Sequence, residues 1–254
     1  MKLLFVGDVV SEAGCLFLQK KLPALKKQYQ IDLAVVNGEN SAVGNGITSY
    51  SANQIFRSGA DVITTGNHAF QRRKELHVFE NTCIIRPVNY GDACPGRGFL
   101  IQDMGSCQIA VINLAGTLFL ENLENPFASI DAVLEQIHTP NIFVDFHAEA
   151  TSEKRAMGFH LAGRVTAVLG THTHVQTADA CILKSHTGYI TDTGMTGVEN
   201  SVLGVDIKTA TNKLRFHTPV SYQDARGACY LNAVLIDFEK TCGKCTKITP
   251  LIVR

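Results

Sequence analysis

The chain has 254 residues, 45% of them hydrophobic, with 23 basic and 23 acidic side chains that cancel to a formal net charge of 0. A chain of this length buries a full core, and without a basic excess it has no general grip on a long polyanion, so a small substrate is expected and a stable nucleic-acid complex is not. No apolar run approaches the ~18 residues that cross a bilayer, the apolar stretch after Met1 is too short for a secretory signal, and no linker breaks the sequence. One domain over 1–254, cytoplasmic and off the membrane, is the expectation.

In chain order, a β-branched and apolar run, Leu3 to Val6, stops at Asp8. Ser11 to Gln30 has helical character, with Leu16, Leu22 and Leu25 among Lys20, Lys21, Lys26 and Lys27, and Pro23 should bend this helix or delay its start. Leu33 to Val36 precedes Glu39 and Asn40. A helix over Ser49 to Ser58 begins with good capping chemistry, and Val62 to Thr65 then leads to Asn67 and His68. Gly66, just before them, offers a turn that a Cβ would hinder.

Arg72 to Glu80 and Ser129 to His138 read as further helices. Between them, from Ile84 to Leu114, the texture changes to short strands and turns, with Gln108 to Asn113 a buried-strand candidate. Ile142 to Val144 runs toward His147. A helix capped by Thr151 or Ser152 should follow and extend to about Leu161. Val165 to Leu169 ends before His172 and His174, and from Tyr189 onward β-structure with long loops is expected.

Strands buried on both faces read as continuous apolar runs, and strands alternating with helical segments give βαβ units. The expected architecture is a mixed α/β sandwich of packed sheets flanked by helices. The eight irregularly spaced cysteines suit reduced, packed thiols better than a disulfide framework. Cys242-Gly243-Lys244-Cys245 is half of a zinc site at most, and a turn between antiparallel strands is its simpler context.

Five apolar runs therefore end at residues able to bind a metal, and open α/β sheets place their sites beyond the carboxyl ends of strands. Singly, each has a plain alternative: Asp8 as a helix cap, Glu39 as a solvated carboxylate, Asn67 as a turn residue, His172 and His174 as loop histidines capping carbonyls. Jointly, Asp8, Glu39, Asn40, Asn67, His147, His172 and His174 make coincidence the costlier explanation. If the strand continues, the two imidazoles of Thr171-His172-Thr173-His174 lie roughly 6.5 to 7 Å apart, a spacing for two neighbouring ions. His77, His138, His160, His186 and His217 lack such a position and are assigned to surface or packing.

Gly7-Asp8, Gly38-Glu39-Asn40, Gly66-Asn67-His68, Asp145-Phe146-His147 and Gly170-Thr171-His172-Thr173-His174 resemble, in order, the motif blocks of calcineurin-like metallophosphoesterases. The longer blocks Val144 to Lys154, Gly170 to Asp179 and Thr191 to Gly197, with Asn37-Gly38-Glu39-Asn40, are similar to the YmdB-like branch, and the resemblance runs essentially end to end. It implies a metallophosphoesterase-type α/β sandwich. It also implies one metal on Asp8, Glu39, Asn40 and His174 and a second on Glu39, Asn67, His147 and His172, with Glu39 bridging. The superfamily's Asp-x-His is here Asp8-Val9-Val10, so Asn40 replaces the missing imidazole. A second departure is Gln71, which stands where an acidic residue commonly follows the Asn-His pair and would orient His68.

The resemblance further implies in-line attack by a metal-bridging hydroxide, with His68 as the general acid. The substrates implied are cyclic nucleotides, chiefly 2′,3′-cyclic nucleotides opened to 3′-nucleotides. Two ions are expected, iron by resemblance and manganese as the alternative, and a homo-oligomer is a further family expectation. Thr196 and Gly197, or the loop Gly44-Asn45-Gly46, are the candidate substrate-binding residues. The open alternatives are a phosphoesterase for 3′,5′-cyclic nucleotides, phosphomonoesters or phosphoprotein, and a regulator that binds a nucleotide without turnover.

Overall fold

A computed structural model of the chain describes every residue except Thr218 and Tyr222, so at these two positions the reading of β-structure with long loops lies outside the described residues. The first half alternates as read from the sequence. Strands β1 (Lys2–Val6) and β2 (Asp8–Val9) lead into α1 (Ser11–Tyr29); β3 (Leu33–Asn37), α2 (Ser49–Arg57) and β4 (Val62–Thr64) follow, and then β5 (Ile84–Ile85), β6 (Phe99–Asp103) and β7 (Gln108–Ala115). Helix α3 (Pro126–Leu134), β8 (Ile142–His147), α4 (Thr151–Leu161) and β9 (Ala167–Thr171) complete the βαβ pattern. Strands β10 (Cys181–Leu183), β11 (Thr187–Ile190) and β12 (Met195–Val198), helix α5 (Ile207–Phe216), β13 (Cys229–Glu239) and β14 (Lys244–Val253) close the chain.

Two mixed sheets result. One runs β2-β12-β13-β1-β3-β4-β5 with β14 paired to β13, and the other runs β10-β11-β9-β8-β7-β6. The strands β1, β3, β4 and β5 are mutually parallel, as are β7, β8, β9 and β11. The sandwich explains the uninterrupted apolar runs. Leu3 and Phe5 of β1 point between the sheets, where they meet Phe143 of β8 and Phe238 of β13, while Leu4 and Val6 point the other way onto α1 and α2. In β8, Val144 and Phe146 face outward beneath α3 and α4. Each fully buried Leu or Phe contributes roughly 1.5 to 3 kcal/mol, so a polar residue at either parity would be costly.

Several local expectations change. Pro23 neither delays nor ends α1; the helix runs from Ser11 through it, with Leu18, Leu22 and Leu25 buried and the proline ring on the exposed side. Arg73–Glu80 forms 3-10 helix rather than α-helix. Helix α3 starts earlier than read, because Asn125 caps it by accepting from the backbone N–H of Phe127 and Ala128 and Pro126 fills the first turn. Helix α4 begins at Thr151, so neither Thr151 nor Ser152 caps it; its N-cap is Ala150, without a side-chain bond. Helix α5 lies in the stretch read as β-structure and loops. Helix α2 has the expected cap in reciprocal form, with Thr48 and Ser51 exchanging side-chain to backbone bonds.

Cys242 lies in the turn between antiparallel β13 and β14 and Cys245 in β14 just after it, and all eight cysteines are free. Among the described residues no helix is long and apolar enough to cross a membrane.

Candidate metal centre

The carboxyl ends of the parallel strands of both sheets converge. Asp8 follows β1, Glu39 and Asn40 follow β3, Asn67 and His68 follow β4, His147 ends β8, and His172 and His174 follow β9. One sheet contributes the carboxylates and amides, the other the imidazoles, so the cluster exists only where the sheets are packed. Asp8, Glu39 and His147 are fully buried.

The donors fall into two groups sharing Glu39. In one, Nε2 of His147 lies 3.0 Å from Glu39 Oε1, 3.0 Å from Asn67 Oδ1 and 3.0 Å from His172 Nδ1. One ring nitrogen carries at most one proton, so three lone-pair atoms around it leave the pocket rich in acceptors and short of donors. In the other, the Asn40 amide nitrogen sits 3.1 Å from Glu39 Oε1, 3.5 Å from Asp8 Oδ1 and 3.2 Å from His174 Nε2. A polarised NH2 here occupies a place ringed by acceptors, and nitrogen and oxygen of an amide can be exchanged by a half-turn. Buried carboxylate, imidazole and amide donors in this density fit divalent cations of the iron, manganese or zinc type. Glu39, His147 and His172 alone already bring three ligand atoms within 4.8 Å of one another.

The electrostatics without metal point the same way. Burial alone would pull the His147 imidazole down, but Glu39, Asp8 and Asp145 outweigh it and raise the group to about 9. His172 falls to about 3 through burial and the neighbouring His147 cation. Burial raises Asp8, whereas for Glu39 it is overcome by His147 and His68, which hold that carboxyl well below its ordinary range. A single shared proton on His147 thus stands in for positive charge among two carboxylates.

A second layer fixes the rings. His147 Nδ1 lies 2.8 Å from Thr171 Oγ1, and that hydroxyl donates to Asp145 Oδ1 at 2.6 Å, while Asn37 donates to Asp145 Oδ2 at 3.0 Å. The relay keeps a proton on His147 Nδ1 and leaves Nε2 as the nitrogen that faces the cluster. Burial raises the Asp145 carboxyl to about 6. His172 Nε2 meets Glu149 Oε2 at 2.9 Å, and His174 Nδ1 donates to the Leu203 carbonyl at 3.2 Å. The loop bearing both histidines is not extended, contrary to the strand spacing read from sequence: His172 has φ 103° and His174 φ 65°. Asp192 holds this loop by accepting from Thr173 N at 3.0 Å and Thr173 Oγ1 at 2.7 Å, and the buried Lys154 ammonium pairs with the same carboxylate at 2.7 Å.

Gly66 is needed for space rather than for a turn. A Cβ there would overlap the His147 ring and the Glu39 carboxylate. His68 stays outside both donor groups and lines the open cleft, 30% exposed in its side chain, with Nδ1 3.0 Å from Asn40 Oδ1. Its orienting partners are therefore Asn40 and Glu39, whose Oε1 lies 3.4 Å from the same nitrogen. The Gln71 side chain instead donates to the Gly44 carbonyl at 3.3 Å, so the position of the missing acid now braces the Gly44 loop.

Thr196 and Gly197 do not reach the cleft. They lie buried in β12, hydrogen-bonded between β2 and β13, with the Thr196 carbonyl against Gly14 of α1, because the short β2 after Asp8 needs a partner strand. Gly44 and Asn45 do line it. Sequence reasoning places Asp145, Glu149, Lys154, Thr171 and Asp192 inside the motif blocks without giving them a role, and it does not single out Leu203. A faint signal exists for Glu149, two residues beyond His147, whereas Lys154 and Asp192 meet only through the fold.

Donors clustered at the joined carboxyl ends of two packed mixed sheets define a metallophosphoesterase-type protein. The same fold occurs in a nucleotidase-type structure from Staphylococcus aureus, with a TM-score of 0.64 over 100% of this chain and 54% of that one; at 15% identity the likeness is of fold alone. The chain belongs to the YmdB-like protein family, whose profile matches residues 4–251. It is 40% identical over 256 residues to the 2′,3′-cyclic-nucleotide 2′-phosphodiesterase of Bacillus subtilis (strain 168), spanning 100% of this chain and 97% of that relative. A hypothetical protein from Thermus thermophilus, known from a crystal structure, matches with a TM-score of 0.94 and 36% identity, covering 99% of this chain and 98% of that one.

Proposed function

We propose that this chain is a metal-dependent phosphodiesterase that hydrolyses cyclic nucleotides, chiefly 2′,3′-cyclic nucleotides to 3′-nucleotides. The observation carrying the reaction type is the pair of donor groups sharing Glu39 beside His68, which belongs to neither and opens to the cleft. The substrate class comes from the name of the Bacillus subtilis relative.

Asp8, Glu39, Asn40 and His174 would hold one ion, and Glu39, Asn67, His147 and His172 would hold the other, with Glu39 shared. Iron is the assigned metal, with manganese able to replace it, since imidazole, carboxylate and amide together suit either. When bound, two such ions acidify water for attack on phosphorus and offset charge on the phosphoryl oxygens.

The rest of the chemistry falls to the side chains. With its amide turned so that Oδ1 meets the ion, Asn40 would present its NH2 to His68 Nδ1, which would make that nitrogen the acceptor. The His68 proton then sits on Nε2, facing the cleft. As the bond between phosphorus and O2′ breaks, His68 gives this proton to O2′, and the phosphate stays on O3′. General acid catalysis of this kind is worth roughly 10²- to 10⁴-fold.

The test is product analysis on 2′,3′-cyclic AMP with metal quantification in the same sample. The expected result is 3′-AMP with two ions per chain. Cleavage only of 3′,5′-cyclic nucleotides or monoesters would replace the substrate assignment, and no phosphoester cleavage by metal-loaded protein would overturn the enzymatic reading.

A further inference from the structure

The cleft over the cluster, about 600 Å³, has two unlike sides. Gly44, Asn45 and Gln71 make one polar. Val202, Leu203, Val205, Ala210 and Leu214, from the strap before α5 and from α5 itself, make the other mainly apolar, with Asp224 beside Val205 at its edge. We infer that this apolar wall seats the base of the nucleotide whose phosphate meets the metal cluster, and that Leu203 and Leu214 are specificity-determining residues. The inference rests on the proposed phosphodiesterase reading and adds to it the place of the base.

Three observations support it. First, the wall is continuous with the site, since the same concavity is lined by His68, His172 and His174. Second, its side chains are left uncovered at a cost: Leu203 is 45% and Leu214 69% exposed, a use of leucine that is economical only if something apolar covers them. Third, the strap is fixed relative to the cluster. Leu203 has φ 55°, its carbonyl accepts from His174 Nδ1 at 3.2 Å, and Val202 and Val205 close the turn by pairing their backbones.

The backbone that orients a candidate metal ligand therefore also presents the leucine. A ribose cyclic phosphate carries one large, flat and largely apolar group, its base, and ligand pockets take such groups on apolar surface while a few polar groups set orientation.

The experiment compares 2′,3′-cyclic AMP with methyl riboside 2′,3′-cyclic phosphate, which keeps the reacting ester and lacks the base, on metal-loaded wild type and Leu214→Ser. Wild type should show a lower KM for cyclic AMP than for the base-free ester. Leu214→Ser should raise KM for cyclic AMP about 10-fold, the scale of losing apolar contact in a pocket, and leave KM for the base-free ester in place. Binding of 3′-AMP, measured by calorimetry, should weaken in parallel.

Equal effects on both substrates, or none on either, would overturn the base seat. So would a Leu214→Ser variant that changes molecular mass by light scattering while its kinetics hold, since a second copy of the chain would then be what covers the wall. Absence of cyclic AMP hydrolysis by wild type would instead refute the underlying phosphodiesterase reading.

Discussion

Replacing Lys154 by methionine should destabilise the protein far more than a neutral, similarly sized side chain normally would. Lys154 is 1% exposed and Asp192 fully buried, and their 2.7 Å contact is how each charge is tolerated away from water. Removing one partner of such a pair costs about 3 to 5 kcal/mol, because the other charge stays buried and uncompensated. The lower end applies here, since Asp192 keeps three donors, from Thr173 N, Thr173 Oγ1 and Gly194 N. For a chain of this size that corresponds to a fall in Tm of roughly 10 °C.

Urea unfolding of metal-free protein measures this, and the double variant Lys154→Met with Asp192→Asn should recover at least half of the loss because both charges are then gone. Metal affinity should fall in the single variant as well. Asp192 anchors Thr173 between two histidines held at positive φ, and non-glycine residues in that region carry strain of about 1 to 3 kcal/mol each unless their surroundings hold them there. A loss under about 1 kcal/mol, with metal affinity intact, would refute the view that this pair is buried in earnest and holds the loop.

His68→Ala should keep both ions and lose roughly 10²- to 10⁴-fold in turnover, checked by metal quantification alongside kinetics; loss of metal together with activity would remove His68 from the acid role. Asp8→Ala and His147→Ala should instead fail through metal loss, visible as substoichiometric metal after dialysis. Thr171→Val, which breaks the relay from His147 to Asp145 at nearly constant volume, should weaken metal binding roughly 10- to 100-fold while the fold persists by circular dichroism. Gly66→Ala should abolish metal binding, because the added methyl meets both His147 and Glu39; ordinary metal affinity in that variant would show that the cluster is looser than described.

Much of this molecule is legible in its sequence for a physical reason. Strands buried on both faces must be apolar throughout, so Leu3 to Val6 or Val62 to Thr64 announce themselves, and the first polar residues beyond them stand out by contrast. What stays hidden is what depends on distant pairing. Thr196 reads like a loop residue near a motif, yet it is interior to β12 because β2 pairs with it. The path of the His172–His174 loop escapes strand arithmetic, since its positive φ values are held by Asp192, which lies in a different block. Gln71 reads as a partner of its neighbour His68, while its side chain serves the Gly44 loop on the same side of the cleft. Helix α5 is marked only by Asp206, which caps it, and by a short amphipathic stretch within loop-like sequence.

The central claim is that two ions share Glu39. Titrating metal-free protein with manganese and following the electron paramagnetic resonance spectrum tests it most directly. Binding should saturate at two equivalents, with a spin-coupled signal that Glu39→Gln converts to isolated ions or loses. Saturation at one equivalent, or two ions that remain magnetically independent in the unaltered chain, would contradict it.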